Sequence, residues 1–230
     1  MTIYAIGDIH GQLAMLEDAL ERIERDGGSN ACVILLGDLV DRGPDVRGVL
    51  ELISNGVVSG KNWIVLRGNH DRLFQNFMGP VPRVSDVRLL VGYDWFHKNM
   101  GGIETLASYD VEVSERRRLY EIHDEATKAV PQSHIDLLNG MRDYHLEDGK
   151  LFVHAGVAPG VPLEEQTQDD LVWIREPFLS DPVAHPWLVV HGHTPVKQAT
   201  HFGNRVALDS GAAYGYPLSV GGFEGREGML

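Results

Sequence analysis

TIYAIGDIHG, residues 2–11, contains the pattern that decides the fold: an apolar run of strand type ends at a glycine, and Asp8 and His10 follow at once. Further along the chain, patterns of helical and strand type alternate at residues 12–25, 31–37, 45–54 and 63–67. Alternation of this kind predicts parallel strands that are joined by right-handed crossovers. The first third of the chain therefore predicts an α/β sheet.

The remaining two thirds of the sequence divide into a charged, helical segment and a second set of strands. Residues 71–145 are richer in charge and in helical periodicity, so we predict a helical insertion or cap over about 75–145. Apolar strand patterns return at residues 150–154, 187–191, 205–209 and 217–223. The glycines and prolines between them predict a second sheet with tight turns. We expect a single domain over residues 1–230.

The composition limits the classes of protein to which the chain can belong. With 43% hydrophobic residues it is expected to be globular, and its formal charge of -13 argues against nucleic acid as its partner. The one cysteine, Cys32, precedes an apolar run, which predicts a buried strand position and a reducing compartment. Because a strand pattern begins at Ile3 and no apolar run approaches the roughly 20 residues that span a bilayer, we expect a soluble, cytoplasmic protein.

Polar side chains of metal-binding types follow the ends of five predicted strands. In chain order, these residues are Asp8 and His10, Asp38, Asn69 and His70, His154, and His191 and His193. Ligands of open α/β sheets bind beyond the carboxyl ends of the strands, where these side chains are expected to meet. Any one of them alone is more typical of a turn cap or a surface histidine, but the repetition at five strand ends indicates a metal site.

The donor types restrict the metal and the number of ions. Carboxylate and amide oxygens together with imidazole, without thiolate, favour Mn²⁺, Fe, Zn²⁺ or Co²⁺ and disfavour Ca²⁺. Six candidate ligands exceed what one open catalytic site uses. We therefore expect two divalent ions, Mn²⁺ first and the others as alternatives, with Asp38 as the candidate bridge. Glycines beside the ligands, such as Gly37 and Gly192, allow the chain to approach the ions closely.

Five short motifs resemble, in order and spacing, those of the calcineurin-like metallophosphoesterases: GDIHG (7–11), GDLVDRG (37–43), GNHD (68–71), HAG (154–156) and GHT (192–194). Further motifs resemble the PPP-type phosphoprotein phosphatases, in the group of the bacteriophage lambda phosphatase and its bacterial relatives: DRG (41–43), WFHKNMGG (95–102), VWIRE (172–176), GHTPV (192–196) and LDSGA (208–212). The resemblance covers nearly the whole chain and is weakest over 75–145. It implies a four-layer α/β/β/α sandwich of two mixed sheets and a metal-dependent phosphoric monoester hydrolase.

Carried over position by position, the resemblance assigns roles to the residues at the strand ends. The implied ligands are Asp8 and His10 for the first metal, Asp38 as the bridge, and Asn69, His154 and His193 for the second metal. His191 has no counterpart in the motif set and is expected to be structural or supporting. The GNHD motif has Asp71 where PPP-type enzymes usually have glutamate, and diadenosine-tetraphosphate hydrolases often share this feature. Those hydrolases usually lack an aspartate at the position of Asp41, which receives the greater weight because the implied mechanism uses it.

The implied mechanism is an in-line attack on phosphorus by a metal-bridging hydroxide. Arg42 and Arg175 would grip the equatorial oxygens of the phosphoryl group. His70 would protonate the leaving alkoxide, and Asp41 would hold the His70 ring in place. Tyr214 is a candidate for binding the substrate, with a tyrosine at the edge of the core as an equal alternative. Core packing within the insertion is favoured over a place at the substrate rim for three further residues: Trp95, Phe96 and Asn99.

Several functions are compatible with these residues, and the sequence favours some of them over others. The leading hypothesis is hydrolysis of phosphoserine and phosphothreonine in proteins, with phosphotyrosine as a further substrate, and the main alternative is hydrolysis of dinucleoside polyphosphates such as diadenosine tetraphosphate. A metal-binding scaffold without catalysis is disfavoured because the complete ligand and catalytic set is present. A Rossmann-type nucleotide binder is excluded because no G-x-G-x-x-G opens the first helix. The expected partners are phosphorylated proteins or small phosphoesters, without nucleic acid or membrane, and the expected assembly is a monomer or a small homo-oligomer.

Overall fold

The helices and strands alternate in the first third of the chain as the sequence predicts. The computed structural model describes residues 2–224. Strands β1 to β3 span Ile3–Ile6, Cys32–Leu35 and Trp63–Val65, and helices α1 to α3 span Leu13–Gly27, Val46–Val58 and Asn69–Met78. In α1, Leu16, Ala19 and Ile23 recur at helical spacing and are buried, so this face of the helix covers the sheet.

Three helices follow, and then a region of short strands. The elements are α4 (Gly102–Ala107), α5 (Leu119–Ala129), α6 (Gln132–Gly140), β4 (Tyr144–Glu147), β5 (Lys150–Val153), α7 (Gln168–Trp173), β6 (Leu188–His191), β7 (Thr200–His201), β8 (Arg205–Ala207) and β9 (Val220–Phe223). Helices α4 to α6 lie within the predicted insertion. Their buried residues Leu106, Ile122 and Leu138 belong to the same apolar cluster as the buried faces of α1 to α3.

The strands form two mixed sheets, with the orders β3-β2-β1-β9 and β4-β5-β6-β8-β7. β1 pairs in parallel with β2 and antiparallel with β9, so that Ile3 lies opposite both Cys32 and Phe223. The prediction that residues 217–223 belong to the second sheet is therefore wrong. After β8 the chain returns to the first sheet, where β9 pairs with β1. The local sequence pattern identifies a strand but does not specify which sheet the strand joins.

Alternating side chains on the strands separate the layers of the molecule. Ala5 packs with Phe152 of the second sheet in the cluster between the two sheets, whereas its neighbour Ile6 faces the helices of the first sheet. On the other side, Val153 packs with Leu171 of α7. The order of layers is helices, sheet, sheet and helix, which confirms the predicted four-layer α/β/β/α sandwich.

Two further observations concern Cys32 and the helices. Cys32 is buried in β2, as predicted, and it belongs to the cluster between the sheets. Burial raises the pKa of its thiol. Among residues 2–224, each helix is too short or too polar to cross a bilayer.

Candidate metal centre

The residues after the strand ends adopt backbone conformations that are uncommon outside glycine. Five of them have a positive φ angle: His10 (45°), Asp38 (51°), Asp41 (73°), Arg42 (66°) and His193 (63°). Such conformations cost about 1–3 kcal/mol each, and they concentrate at functional sites, where the surrounding packing imposes them. Here they occur in the turns that follow β1, β2 and β6, at one edge of the sandwich.

Two groups of buried ligand atoms lie at this edge, and they share Asp38. The ligand atoms of His10, Asp38 and His70 lie within 4.8 Å of one another, and so do those of Asp38, His154 and His193. Asp38 Oδ2 is 3.5 Å from His10 Nε2, and Asp38 Oδ1 is 3.4 Å from His154 Nε2. The carboxylate of Asp38 thus turns one oxygen to each group, as a bridging ligand requires.

His154 and Asn69 place two acceptor atoms against each other. His154 Nδ1 is 2.9 Å from the carbonyl oxygen of Leu36, which can only accept, so this ring nitrogen carries the proton. His154 Nε2 therefore presents a lone pair, yet it lies 3.0 Å from the amide oxygen Oδ1 of Asn69. Two acceptors at this distance repel each other, and a cation coordinated by both would remove the repulsion.

His193 supplies a buried ring nitrogen without a partner. The residue is 7% exposed, and its Nε2 has no hydrogen-bond partner within residues 2–224. The ring also makes a hydrogen bond to the backbone of Trp173. A buried polar atom without a partner costs free energy, which a metal bond would recover. The donors around Asp38, His154 and His193 therefore fit a divalent cation of the predicted kind.

Asp8 lies at the same edge, outside both groups of three. Its two oxygens accept hydrogen bonds from the backbone N–H of His193, at 3.0 and 3.1 Å. Burial, together with the charges of Asp209 and Asp38, raises the pKa of Asp8 well above its usual value. The three carboxylates are each at most 5% exposed. Because a buried carboxylate is costly without a compensating charge, bound cations would stabilise this cluster in its ionised form.

The guanidinium group of Arg42 lies against the first group of ligand atoms. Its two terminal nitrogens are 2.5 Å from His10 Nε2 and 2.8 Å from His70 Nε2. A guanidinium can only donate, so both imidazole nitrogens accept. His10 Nδ1 donates to the carbonyl oxygen of Val40 at 2.7 Å, which fixes the tautomer. The lone pair of His10 that is predicted to bind the first metal therefore points at the positive charge of Arg42 in this structure.

His70 and Asp41 form a buried pair. His70 Nδ1 donates to Asp41 Oδ2 at 2.6 Å, and the two side chains are at most 3% exposed. Burial raises the pKa of Asp41 and lowers the pKa of His70. Both directions oppose the charged form of each group, whereas the hydrogen bonds from His70, Thr105 and Trp95 stabilise the ionised carboxylate of Asp41. Such a pair can deliver a proton to a group that meets His70.

The pKa values of the candidate ligands decide how pH affects metal binding. Burial lowers the pKa of His154 to about 4, and it lowers the pKa values of His10 and His193 well below their usual range. These imidazoles are therefore neutral at pH 7, the form that binds a metal. Burial raises the pKa of Asp38 to about 7. A cation that binds Asp38 must therefore displace a proton at and below neutral pH.

The other predicted residues lie at the rim of the site or behind it. Arg175 follows α7 and is exposed, and its positive charge contributes to the lowered pKa of His193 in the second ligand group. Tyr214 is 61% exposed, and its ring centre lies 5.6 Å from Cζ of Arg42, so it borders the site from the solvent. His191 is fully buried outside both ligand groups, and burial lowers its pKa to about 3.

The three residues assigned to packing of the insertion have different environments. Trp95 is fully buried, and its indole N–H donates to Asp41 at 3.0–3.1 Å, a contact that the sequence does not predict. Phe96 is half-buried and packs edge-on against Phe77. Asn99 is exposed, and its amide donates to the hydroxyl of Tyr93 at 3.0 Å. The packing interpretation fits Trp95 and Phe96, which belong to or pack against the core, and does not fit Asn99.

Two residues at the site receive no role from sequence reasoning, although both lie in motifs that the sequence analysis quotes. Asp71 accepts hydrogen bonds from three backbone N–H groups: Asp38 (2.7 Å), Leu39 (3.0 Å) and Gly68 (2.9 Å). Burial raises its pKa to about 6. Asp209, which follows β8, is 5% exposed beside the other carboxylates. The rule of polar residues at strand ends, applied to the pattern at 205–209, would have identified Asp209.

Comparisons with known proteins agree with this arrangement. The family model of the calcineurin-like phosphoesterases matches residues 1–222. The chain is similar to bis(5'-nucleosyl)-tetraphosphatase PrpE of Bacillus thuringiensis (strain Al Hakam), with 24% identity over 94% of this chain and 87% of that protein. It is also similar to serine/threonine-protein phosphatase 1 of Salmonella typhimurium (strain LT2), with 26% identity over 95% of this chain and 90% of that protein.

A solved structure shares the fold. A crystal structure provisionally assigned as a diadenosine tetraphosphatase superposes with a TM-score of 0.69 and 22% identity, covering 100% of this chain and 91% of that one. The family match spans the sheets, the helices and every strand end that carries a candidate ligand. The chain therefore belongs to the calcineurin-like phosphoesterase family.

Proposed function

We propose that the chain is a metal-dependent phosphomonoesterase that acts on phosphoserine and phosphothreonine in proteins, with phosphotyrosine as a further substrate. The observation that carries the proposal is the buried His70–Asp41 pair, with 2.6 Å between Nδ1 and Oδ2, beside two groups of ligand atoms. Membership of the family supports phosphoester hydrolysis in general. The pair adds an acid, whose use distinguishes phosphate esters of alcohols from phosphoanhydrides.

The proposed cofactors are two divalent ions. The residues that would hold them are Asp8, His10, Asp38, Asn69, His154 and His193. Mn²⁺ is the expected ion, with Fe, Zn²⁺ and Co²⁺ as alternatives, because the donor set combines hard oxygens with imidazole. Bound ions of this kind supply Lewis acidity and lower the pKa of coordinated water. Asp38 is the residue suited to both sites, since each of its oxygens faces one group of ligands.

The leaving group decides how much an acid matters. When the O–P bond to serine breaks, the departing alkoxide is strongly basic and needs a proton as the bond breaks. His70 would donate that proton from Nε2 as the imidazolium, once the guanidinium of Arg42 has left this nitrogen, and Asp41 holds Nδ1 on the opposite side of the ring. A nucleoside polyphosphate leaves as a weakly basic phosphate and needs no such donor. A buried, oriented acid pair therefore favours alkyl phosphate monoesters.

Arginines are the proposed binding groups for the phosphoryl oxygens. Arg42 already turns its guanidinium to the centre of the first ligand group, where it touches His10 and His70. A planar guanidinium matches two phosphoryl oxygens at once. Arg175 would approach from the opposite rim after α7, and Tyr214 would border the substrate beside Arg42.

Hydrolysis of dinucleoside tetraphosphates is the second candidate function. Relatives of similar identity include a protein named bis(5'-nucleosyl)-tetraphosphatase. A cavity of about 420 Å³ next to Tyr214 also favours it, since Tyr216 and Lys197 line the same cavity. Tyrosine rings stack on nucleobases, and a lysine attracts the phosphate chain. GNHD at residues 68–71 is a feature that such hydrolases often share.

The proposed setting is the cytoplasm, and the proposed partners exclude nucleic acid. The single cysteine, Cys32, is buried in a strand, as suits a reducing compartment. The formal charge of -13 disfavours a nucleic-acid backbone as partner. We propose a monomer or a small homo-oligomer as the working assembly.

The test is a comparison of kcat/KM for a phosphothreonine peptide and for diadenosine tetraphosphate, after metal removal and restoration of Mn²⁺. We expect the peptide to be preferred. Asp38→Asn should abolish turnover, and the exposed-surface variant Asp124→Asn should leave it intact. A preference for the dinucleotide would reject the first candidate in favour of the second. Absence of turnover with every divalent ion tried would reject both.

A further inference from the structure

Asp41 is held by residues from the helical segment that was predicted as an insertion. Its carboxylate is 0% exposed and accepts from three side chains. One is His70, at 2.6 Å. The others are the hydroxyl of Thr105, at 2.6 Å, and the indole N–H of Trp95, at 3.0 and 3.1 Å from the two oxygens. Two of the three groups that orient Asp41 therefore come from residues 95–105.

The indole of Trp95 is itself fixed by the helix that carries His70. Its rings lie 5.5 Å from Phe74 and 5.0 Å from Phe77, both on α3. Helix α3 begins at Asn69, so His70 occupies its first turn. The contacts close a loop: α3 holds Trp95, Trp95 donates to Asp41, and Asp41 accepts from His70. Because each member restrains the next, the His70 ring has little freedom to rotate.

Thr105, in α4, makes a reciprocal pair of hydrogen bonds with Asp41. Its hydroxyl donates to Asp41 Oδ1, and the hydroxyl oxygen of Thr105 accepts from the backbone N–H of Asp41 at 2.9 Å. Since Asp41 has a φ angle of 73°, this bond also secures an uncommon backbone conformation.

Two glycines allow the insertion to approach this closely. Gly101 has a φ angle of 97°, and a Cβ atom there would lie 2.3 Å from the backbone nitrogen of Arg42. A Cβ atom on Gly102 would lie 2.5 Å from the ring of Trp95. Side chains at either position would therefore separate the insertion from the loop that carries Asp41 and Arg42.

We propose that the helical insertion is a working part of the catalytic site, in which Trp95 and Thr105 are positioning residues that orient Asp41 and, through it, His70. The inference rests on the proposed role of His70 as proton donor. Neither residue touches the ligand groups, so both act through Asp41. Their loss should slow reactions whose leaving group needs a proton and should spare reactions whose leaving group does not.

The experiment compares variants on two substrates in the full-length protein with Mn²⁺. Trp95→Phe removes the indole N–H and keeps a ring for packing, and Thr105→Val removes the hydroxyl at nearly constant volume. Thr105→Ser is the rescue variant because it keeps the hydroxyl. Two matched controls lie away from Asp41. Trp187→Phe lies before β6, at the end of the strand that is remote from the ligands, and Thr127→Val lies on the exposed face of α5. The substrates are an alkyl ester, phosphothreonine peptide, and an activated aryl ester, p-nitrophenyl phosphate.

We expect Trp95→Phe and Thr105→Val each to lower kcat on the peptide by about tenfold or more, and kcat on the aryl ester by about threefold or less. Thr105→Ser and the two controls should stay close to the parent enzyme. In a His70→Asn background, Trp95→Phe should add no further loss on the peptide, since its effect passes through His70. Equal losses on both substrates, or an undiminished loss in that background, would overturn the inference.

A second readout does not depend on turnover. The short bond from His70 Nδ1 to Asp41 should give a strongly deshielded ring proton in the NMR spectrum of protein that is loaded with diamagnetic Zn²⁺. Trp95→Phe and Thr105→Val should shift or broaden this resonance, and Thr127→Val should not. An unchanged resonance would contradict the inference even if the enzyme fails to cleave monoesters. Failure of the parent enzyme on both monoesters, with the resonance shifted as expected, would reject the proposed function alone.

Discussion

Asp71 illustrates how a single residue away from the chemistry can organise a metal centre. Its carboxylate accepts from the backbone N–H groups of Asp38, Leu39 and Gly68, and so it ties the loop after β2 to the start of α3. Both segments carry candidate ligands. The geometry of Asp38 and Asn69 therefore depends on a residue that lies outside both groups of ligand atoms.

Replacing Asp71 by asparagine tests this role. The new amide would keep one acceptor oxygen and would turn a donor NH₂ group toward a backbone N–H. We expect the free energy of unfolding to fall by about 1–3 kcal/mol, because a buried donor loses its acceptor. Mn²⁺ affinity should fall as well. Denaturant melts and metal titrations measure both effects, with Asp124→Asn as the surface control. Unchanged stability and affinity would contradict the assigned role.

The carboxylates of the site should make metal affinity depend on pH. The pKa of Asp38 is raised to about 7, and that of Asp8 is raised as well, both by burial first. Raised carboxyl pKa values favour the protonated, metal-free protein at low pH, so a cation must displace these protons. Between pH 7 and pH 5, the apparent Mn²⁺ affinity should fall about tenfold per pH unit for each carboxyl that is displaced.

Calorimetry across this pH range measures the slope. His154, whose pKa is lowered to about 4, adds no competing proton there. The slope of log affinity against pH should therefore correspond to the displacement of one proton, if only Asp38 is displaced, or of two, if Asp8 is displaced as well. A flat profile would contradict the placement of Asp38 as a buried ligand.

The sequence predicts a site residue when the role of its side chain follows from its position at the end of a strand. Asp38, His154 and His193 follow apolar strands and meet at one edge. Thr105 and Asp71 lie in helices. Asp71 is noted only as the last residue of the GNHD motif, and the local pattern of neither residue predicts the hydrogen bonds that it makes. Their roles come from partners 64 and 32–33 positions away along the chain, which periodicity does not encode.

At the scale of elements, the junction between the ends of β1 and β6 depends on one glycine. A Cβ atom on Gly192 would lie 2.0 Å from Asp8 Oδ1. Asp8 is anchored there by the backbone N–H of His193, so its carboxylate cannot move aside without losing these bonds. The two sheets approach each other here because position 192 has no side chain.

Gly192→Ala should therefore displace Asp8 and weaken metal binding by about tenfold or more. Gly140→Ala is the matched control, since a Cβ atom there meets no atom within 4 Å. Metal titration and circular dichroism of both variants measure the effect. Retained secondary structure with weakened Mn²⁺ binding in Gly192→Ala alone is the expected result, and parent-like binding would contradict the contact.

The elements themselves are predicted to different degrees. The first three strands and the helices between them follow from the sequence, because β1 and β2 are apolar runs that are buried along their whole length and α1 and α2 each bury one face. β4 is missed because three of its four residues are exposed, so it lacks the apolar pattern of a strand. β9 is found as a strand but assigned to the wrong sheet, since its partner is chosen by the return of the chain to β1.

At the scale of the whole molecule, the site exists only when both sheets are packed together. Asp8 and Asp38 follow strands of the first sheet, whereas His154 and His193 follow strands of the second. Asp38 lies between the two groups. The four-layer order is implied by the resemblance and is confirmed, whereas the close contact of the insertion with Asp41 has no signal in the sequence. Binding of ions across the two sheets should couple metal affinity to the stability of the whole fold.

The most direct test of a shared, two-ion centre is a titration of metal-stripped protein with Mn²⁺, in which bound metal and hydrolysis of p-nitrophenyl phosphate are followed together. We predict that activity appears only with metal and saturates at about two ions per chain, because two groups of ligand atoms share the carboxylate of Asp38. Asp38→Asn should lose both binding and turnover. Full activity in the stripped protein, or saturation at a single ion, would contradict the account.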